Sequence, residues 1–585
     1  MIADEESDSS SDPSIQNDLL GFAERSIAED LNEKCNRLRS RKRQSTFRSS
    51  LRYSEHSEEV DVIKELEAKL GDRLIDPLAI AEKEGFVNNM NAKYVFGHDR
   101  IQEAAYSLTA AEERMSTLGY ASQISDSVEM GLEIMSKLGE ELPRTQARLN
   151  EMSVIDLLNY RMMTDKKKIM SMKFLCRLYV AVLQVNPNLV PLIPLKMVEI
   201  TIEHGMSHLS PIGFAFFGSL VAQLGDLNGG HKFTCIAKSL IDKMMLRDIA
   251  GEVLCVSTDI LCFIVHFRMA IETRKENEVV ALTAGNVTWA CYSRLMYVTG
   301  TFWSGSKLSV SLEVIDHGRR FVMSRGHLTS DNYLLLLQQS ILKLIGNSQS
   351  EIIPDDELKQ RVLDSNNHHA LEIYYFQKTY ASFMLDNYES MKESAIELFK
   401  FSTKPWLLMS NRIFHVLVGG LVSFRIYRET KLSCWLERGT KFKSQMQLWA
   451  EQGSSSTFEN KYFLLEAEEQ FSKNKLDVVR ATYDKTISSA RAHKLVHEEA
   501  IACELAANFY FNIDDFSTSL KYYTSANEKY SEWGAYAIAR RLFRCVGEKF
   551  TSYASAPSSH PISSTDGFER QRFDSEADQR KRKQP

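Results

Sequence analysis

AEEQFSKNKLDVVRATYDKTISSA (residues 467–490) and AANFYFNIDDFSTSLKYYTSANEKY (residues 506–530) carry one pattern twice. A shift of forty residues places Ala467 on Ala507, Phe471 on Phe511, Leu476 on Phe516 and Tyr483 on Tyr523. Each copy runs small residue, aromatic, apolar turn position, aromatic. The small residue lets two helices approach closely, and the large ones fill the groove to the next pair. The spacing predicts a helical hairpin repeated in tandem.

Weaker echoes lie upstream. SFMLDNYESMKESA (Ser382–Ala395) has Phe383 and Tyr388 in the matching places, and VAQLGDLNGGHKFTCIA (Val221–Ala237) has Leu227 and Ala237. Polar breaks at LGEELP (Leu138–Pro143), VNPNLVP (Val185–Pro191), EHGMSHLSP (Glu203–Pro211), LGDLNGG (Leu224–Gly230) and TGTFWSGS (Thr299–Ser306) divide the text into helices of ten to twenty residues. Hairpins that cannot bury both faces alone must stack. The expected fold is all-α: a tetratricopeptide-like α-solenoid over residues 116–553, after a small N-terminal winged-helix-like unit at 58–115. Tails at 1–57 and 554–585 are expected to be disordered.

Composition agrees. The 585 residues hold only 12 prolines and 27 glycines, which favours long helices over many turns. A net charge of −6 argues against a dedicated nucleic-acid binder. The nine cysteines are scattered without a CxxC pair, as expected of reduced thiols in a cytoplasmic protein. The N-terminus, MIADEESDSSSDPS, is acidic, unlike a signal peptide. The longest apolar stretches, Pro211–Leu224 and Val253–Phe267, are shorter than the ~20 residues that span a bilayer. No membrane association is expected.

In the N-terminal unit, VIKELEAKLGDRL and DPLAIAEKEGFV read as short helices, and NNMNAKYVF as a turn followed by an extended piece. FGHDRIQEAAYSL (Phe96–Leu108) then puts Phe96, Ile101, Ala104, Ala105 and Leu108 on one apolar helix face. His98, Asp99 and Arg100 stand at the helix start, where free N–H groups suit either an anion or an ordinary cap. In the N-terminal tail, RLRSRKRQSTFRSS (Arg37–Ser50) is a basic run. It reads as a solvated tail, as a phosphorylation site at Ser45 or Thr46, or as a nuclear import signal.

Sequence motifs for chemistry are missing. GTFWSGSKLS (Gly300–Ser309) departs from GxxxxGK[ST] and has helical text on both sides, so it reads as an interhelical loop. HEEAI (His497–Ile501) has isoleucine where HExxH needs its second histidine. His231 and Cys235, one turn apart, have no second pair of metal ligands, and His368 and His369 read as solvated loop residues. No GxSxG, HRD or DFG string occurs. The methionines of RMMTDKKKIMSMKF (Arg161–Phe174) read as packing residues.

Taken together, several strings resemble one family. FGHDRIQEAAYSL, LGEELP, NPNLVPLIPLKMVEITIEHGMS (Asn186–Ser207), GFAFFGSLVAQLGDLNGGHKF (Gly213–Phe233), NKYFLLEAEEQF (Asn460–Phe471), HEEAIACELAANFY (His497–Tyr510) and SEWGAYAIARRL (Ser531–Leu542) look like the predicted ATPase and helical-repeat region of multidomain hybrid histidine kinases and serine/threonine kinases, signal-transduction ATPases of the STAND type. The resemblance covers about residues 70 to 545. It implies that the chain starts inside an ATPase lid, without Walker A, Walker B or output segments, and that ATP or ADP is a ligand of the parent family with no complete site here. In related ATPases a lid histidine followed by Asp approaches the β-phosphate of ADP, and His98-Asp99 takes the matching place, with Arg100 beside it. The resemblance implies a non-catalytic scaffold that offers its concave repeat surface to protein partners in signal transduction. Its alternative is a fragment of a full ATP-binding ATPase or kinase.

Overall fold

The computed structural model describes residues 87–90, 93–96, 157, 159–185, 189–346, 352–365, 367–401 and 409–554. Strands β1 (Val87–Met90) and β2 (Lys93–Phe96) pair antiparallel, with Val87 opposite Phe96 and Met90 opposite Lys93. The expected single extended piece is therefore a hairpin, and Asn88 and Asn89 lie in a strand rather than a turn. The other calls in the 58–115 unit, and His98, Asp99, Arg100, Ser45 and Thr46, lie outside the described residues.

The rest is helical, with nineteen α-helices among the described residues. They are α1 (Lys166–Val185), α2 (Leu192–His204), α3 (Ser210–Gln223), α4 (Leu227–Met244), α5 (Ala250–Ile264), α6 (Phe267–Thr283) and α7 (Val287–Trp303). Next come α8 (Leu308–Met323), α9 (Leu328–Ile345), α10 (Asp355–Asp364), α11 (His368–Met384), α12 (Tyr388–Phe401) and α13 (Met409–Thr430). The array continues with α14 (Ser433–Gln452), α15 (Ser455–Ser472), α16 (Leu476–Ala492), α17 (Val496–Asn512), α18 (Phe516–Trp533) and α19 (Tyr536–Ala554).

Starts are set by side chains that accept otherwise orphaned N–H groups. Asp226 accepts from Gly229, Asn286 from Trp289, Asn367 from His369 and Ala370, and Asp515 from Thr518. The forty-residue period appears as two helices. Ala467 and Ala507 are buried on α15 and α17, and Leu476 and Phe516 open α16 and α18. Tyr483 Oη donates to Glu468 and Tyr523 Oη donates to Asn508 at 2.6 Å, the same pairing one repeat apart.

Consecutive helices pack as hairpins. From α1 to α15 each odd-numbered helix also touches the next odd-numbered one, so these form an inner layer. Inner helices are buried on nearly all sides; α3 buries Pro211 through Leu220 without a break. Outer helices bury one stripe, as α8 does with Leu308, Ser311, Ile315, Gly318 and Val322.

The array coils back on itself every ten helices. α1 packs against α11, α4 against α14, and α9 against α19. Five hairpins therefore complete one superhelical turn, and the next turn stacks on its edge.

Candidate functional site: the seam between superhelical turns

The loops that end inner helices of the first turn meet the starts of inner helices of the second. Leu227 N donates to Gln452 Oε1 at 2.9 Å, Ser454 N to the Phe263 carbonyl at 2.8 Å, and Thr457 Oγ1 to the Val265 carbonyl at 3.2 Å. Arg268 bridges the Ser304 carbonyl (2.9 Å) and the Lys494 carbonyl (3.1 Å). Trp533 Nε1 donates to the Ser306 carbonyl at 3.0 Å, and within the second turn Arg541 donates to the Met384 carbonyl at 3.2 Å. Carbonyls at helix C-termini carry partial negative charge, which suits arginine and indole donors.

At the centre of this seam sits the HEEAI stretch. His497 and Glu498 open α17 and are 2% and 3% exposed. Lys461 of α15 places Nζ 2.9 Å from Glu498 Oε2 and 2.7 Å from the Thr457 carbonyl, and Asn460 donates to the same carboxylate oxygen. Burial pushes the Glu498 carboxyl up. The ammonium of Lys461, with His497 and the hydrogen bonds from Lys461 and Asn460, outweighs burial and holds it below the usual range. His497 is pushed down to about 4 by burial, which Glu498 opposes and to which Lys461 and Arg268 add.

Aromatic rings enclose this pair. Trp303 stacks on Phe414 at 4.2 Å, Phe267 meets Phe414 edge-on at 5.4 Å, and His497 lies 5.3 Å from Trp533. A small cavity with room for about one water is lined by Trp303, Tyr380, Phe414, His497 and Glu498, among others.

Two further buried charge clusters face the interior. Arg274, 1% exposed, pairs with Asp259, which also accepts from Ser410 Oγ of α13 at 3.0 Å. Burial opposes the Arg274 charge, but Asp259 and the neighbouring thiols raise its pKa above the ordinary value. On α11, His369 lies 3.4 Å from Glu372, and His415 of α13 stacks on Phe376 at 3.6 Å. Burial raises the Glu372 carboxyl, and His369, His415 and Arg412 bring it below the usual range. His369 is thus a half-buried residue paired with Glu372 instead of a solvated one: Asn367 caps the helix that carries it, and its ring meets Tyr333 edge-on.

These arrangements hold charge in place. Burial raises the pKa of Cys176, Cys255, Cys262, Cys291 and Cys503, which keeps those thiols protonated and weakly nucleophilic at neutral pH. His231 Nε2 lies 3.6 Å from the exposed Cys235, and no group of three metal-capable side chains occurs among the described residues. GTFWSGSKLS runs from the last turn of α7 through the loop Ser304–Lys307 into α8, so its middle is the interhelical loop, yet that loop's second role as a docking point in the seam carries no sequence motif. No helix among the described residues is long and apolar enough to cross a membrane.

The sequence reading puts partner docking on the concave face. Between the turns Phe263 packs on Phe458, and Phe267 and Trp303 pack on Phe414.

No family model and no curated protein matches the sequence. Among solved structures, a Rap protein complexed with competence and sporulation factor aligns at TM-score 0.33 and 10% identity, over 73% of this chain and 99% of that one. The apo form of RapI aligns at TM-score 0.30 and 10% identity, over 75% and 98%. At these scores the likeness carries nothing about function, and the solenoid assignment rests on the helices themselves.

Proposed function

We propose that the chain is a non-catalytic helical-repeat scaffold for protein–protein interaction in cytoplasmic signal transduction, related by descent to the ATPase–kinase signalling proteins it resembles. The observation that carries this reading is the seam. Ser410–Asp259 and the Arg268 and Trp533 bridges bind one turn to the next, while Lys461–Glu498 and Arg274–Asp259 lock neighbouring helices within a turn, so the array moves as one body. A body of this kind positions partners on its outer helices and free edges. ATP and ADP have no role in this reading, and the described helices offer charges that are used for packing.

Two measurements on the full chain test it together. Calorimetric titration with Mg-ATP and Mg-ADP should give no saturable heat. Native affinity purification followed by light scattering should give a complex of fixed stoichiometry with a defined protein. Saturable nucleotide binding, or a chain that stays alone at every concentration of its co-purifying proteins, overturns it.

A second reading rests on the resemblance of Phe96–Leu108 to an ATPase lid: the chain works as the repeat region of a larger ATP-binding ATPase or kinase. Transcripts that extend upstream of Met1 into a P-loop reading frame would establish that reading. Transcripts without one would remove it.

A further inference from the structure

α8 carries two stripes of side chains, one buried and one open to solvent. Leu308, Ser311, Ile315, Gly318 and Val322 are buried against the inner layer. A second set, Val310, Val314, His317, Phe321 and Ser324, advances by four, three, four and three residues. On a helix this spacing brings all five to one face, separate from the buried one. Val310 is 45% exposed, Val314 and Phe321 are half-buried, and His317 and Ser324 are exposed. The alternation of four and three is the spacing of a seam between two packed helices, with apolar residues where the side chains of the second helix lodge.

Cations border the open stripe. The Arg325 guanidinium lies 3.8 Å from the centre of the Phe321 ring, and that of Arg294 on α7 lies 4.6 Å from it. Arg294 is paired with Glu278 at 2.6 Å, and Arg319 with Asp331 at 2.8 Å. Arg320 and Arg325 are exposed and form no ion pair among the described residues. The acidic side chains of α8 are Glu313 and Asp316, and Asp316 accepts from Gln338 at 2.6 Å. Gly326, in the turn after α8, has nothing within 4 Å of where a Cβ would stand, so that turn does not wall off the end of the stripe.

We infer that this face of α8 docks an amphipathic helix of a partner protein, one whose apolar stripe is flanked by Asp and Glu. The inference rests on the scaffold reading above and gives it a surface and a partner chemistry. Apolar side chains of the docked helix lodge among Val310, Val314 and Phe321, and its carboxylates meet Arg320 and Arg325. Arginine beside an aromatic ring is the composition of binding hot spots. A basic helix is refused here, because it sets like charges against both arginines.

The test is selection from a displayed library of three-heptad helices on the full chain. Leucine is fixed at the two seam positions of each heptad, and the other positions are randomised between Glu and Lys. Helices selected on the parent chain should be enriched in Glu over the starting pool, and their binding should weaken as sodium chloride rises. Val310→Asp should weaken the selected helices by roughly tenfold or more. Selection on Arg320→Glu with Arg325→Glu should swing the bias from Glu to Lys. All three side chains are exposed, and circular dichroism checks that each variant keeps its helices. Selected helices without a charge bias, a bias that is the same on both chains, binding unchanged by Val310→Asp, or no selected helix at all overturns the inference. Each of these results leaves the scaffold reading where it was, because that reading is decided by the complex the unmodified chain forms with a defined protein.

Discussion

Gly305 faces the imidazole of His497 so closely that a Cβ at position 305 would stand 2.5 Å from Nδ1. The two residues belong to helices ten places apart, and neither ring nor loop has room to retreat, since His497 is 2% exposed. Gly305 also has φ +77°, where an L side chain is strained. Gly305→Ala should therefore combine both effects and cost about 2–4 kcal/mol. Gly326→Ala shares the positive φ without the contact and should cost only about 1 kcal/mol. Urea unfolding of the two variants separates the terms, and equal losses would show that the seam tolerates displacement of His497.

Acid should loosen the array above the range of ordinary carboxylates. His327, His415 and His497 are each pushed down to about 4, chiefly by burial. Their folded pKa values lie below the unfolded value near 6.5, so the unfolded chain takes up protons first. Stability is complete above about pH 6.5 and falls as pH drops toward 4, by up to about 1.4 kcal/mol per pH unit for each histidine. The urea midpoint measured from pH 7.5 to 5 should decline, and His497→Gln should make the decline shallower. An unchanged slope in that variant would remove His497 from the account.

Glu252 works in the opposite direction. It is buried on α5, and burial raises its carboxyl to about 8 despite Arg177 and a hydrogen bond with Trp289. A folded pKa above the unfolded one means the native state holds a proton that the unfolded chain gives up, so stability is lost as pH rises from about 4.5 through 8. Glu252→Gln keeps the shape and cannot ionise. It should stabilise the protein by on the order of 2 kcal/mol at pH 8 and by little at pH 5. A variant that is less stable at both values would mean that the carboxylate is charged and paired in the folded protein.

Local repetition was legible in the sequence, and long-range closure was not. Ala467, Ala507, Tyr483 and Tyr523 announce the hairpin period because helix spacing puts small and aromatic side chains in fixed places. Closure joins residues such as Arg268 and Lys494, and most of its acceptors are main-chain carbonyls, at positions 263, 265, 306, 345 and 494. A carbonyl is present at every residue, so it leaves no mark in the text. His497-Glu498 looked like an incomplete zinc motif for the same reason: Lys461, the partner that gives the pair its meaning, stands on another helix. His369 follows a polar NN pair and so reads as a loop residue, whereas the cap supplied by Asn367 places it in the first turn of α11.

Lys461 and Glu498 are each 3% exposed and 2.9 Å apart, which makes the pair costly to break and replaceable as a unit. Lys461→Met removes the cation and leaves a buried carboxylate whose Oε1 already lacks a hydrogen-bond donor among the described residues. Loss of one partner from a buried pair costs roughly 3–5 kcal/mol. Asn460 still donates to Oε2, which places the expected loss toward the lower end. Adding Glu498→Leu to Lys461→Met removes the stranded charge and lets an apolar side chain meet Phe414 and Ile501, two of the residues around the neighbouring cavity. The double variant should regain most of the loss, since well-packed apolar replacements of buried pairs are often neutral. Thermal unfolding of the two single variants and the double variant closes the cycle. Losses that simply add would mean that the two charges do not depend on each other, and the seam would then be held by its aromatic and carbonyl contacts alone.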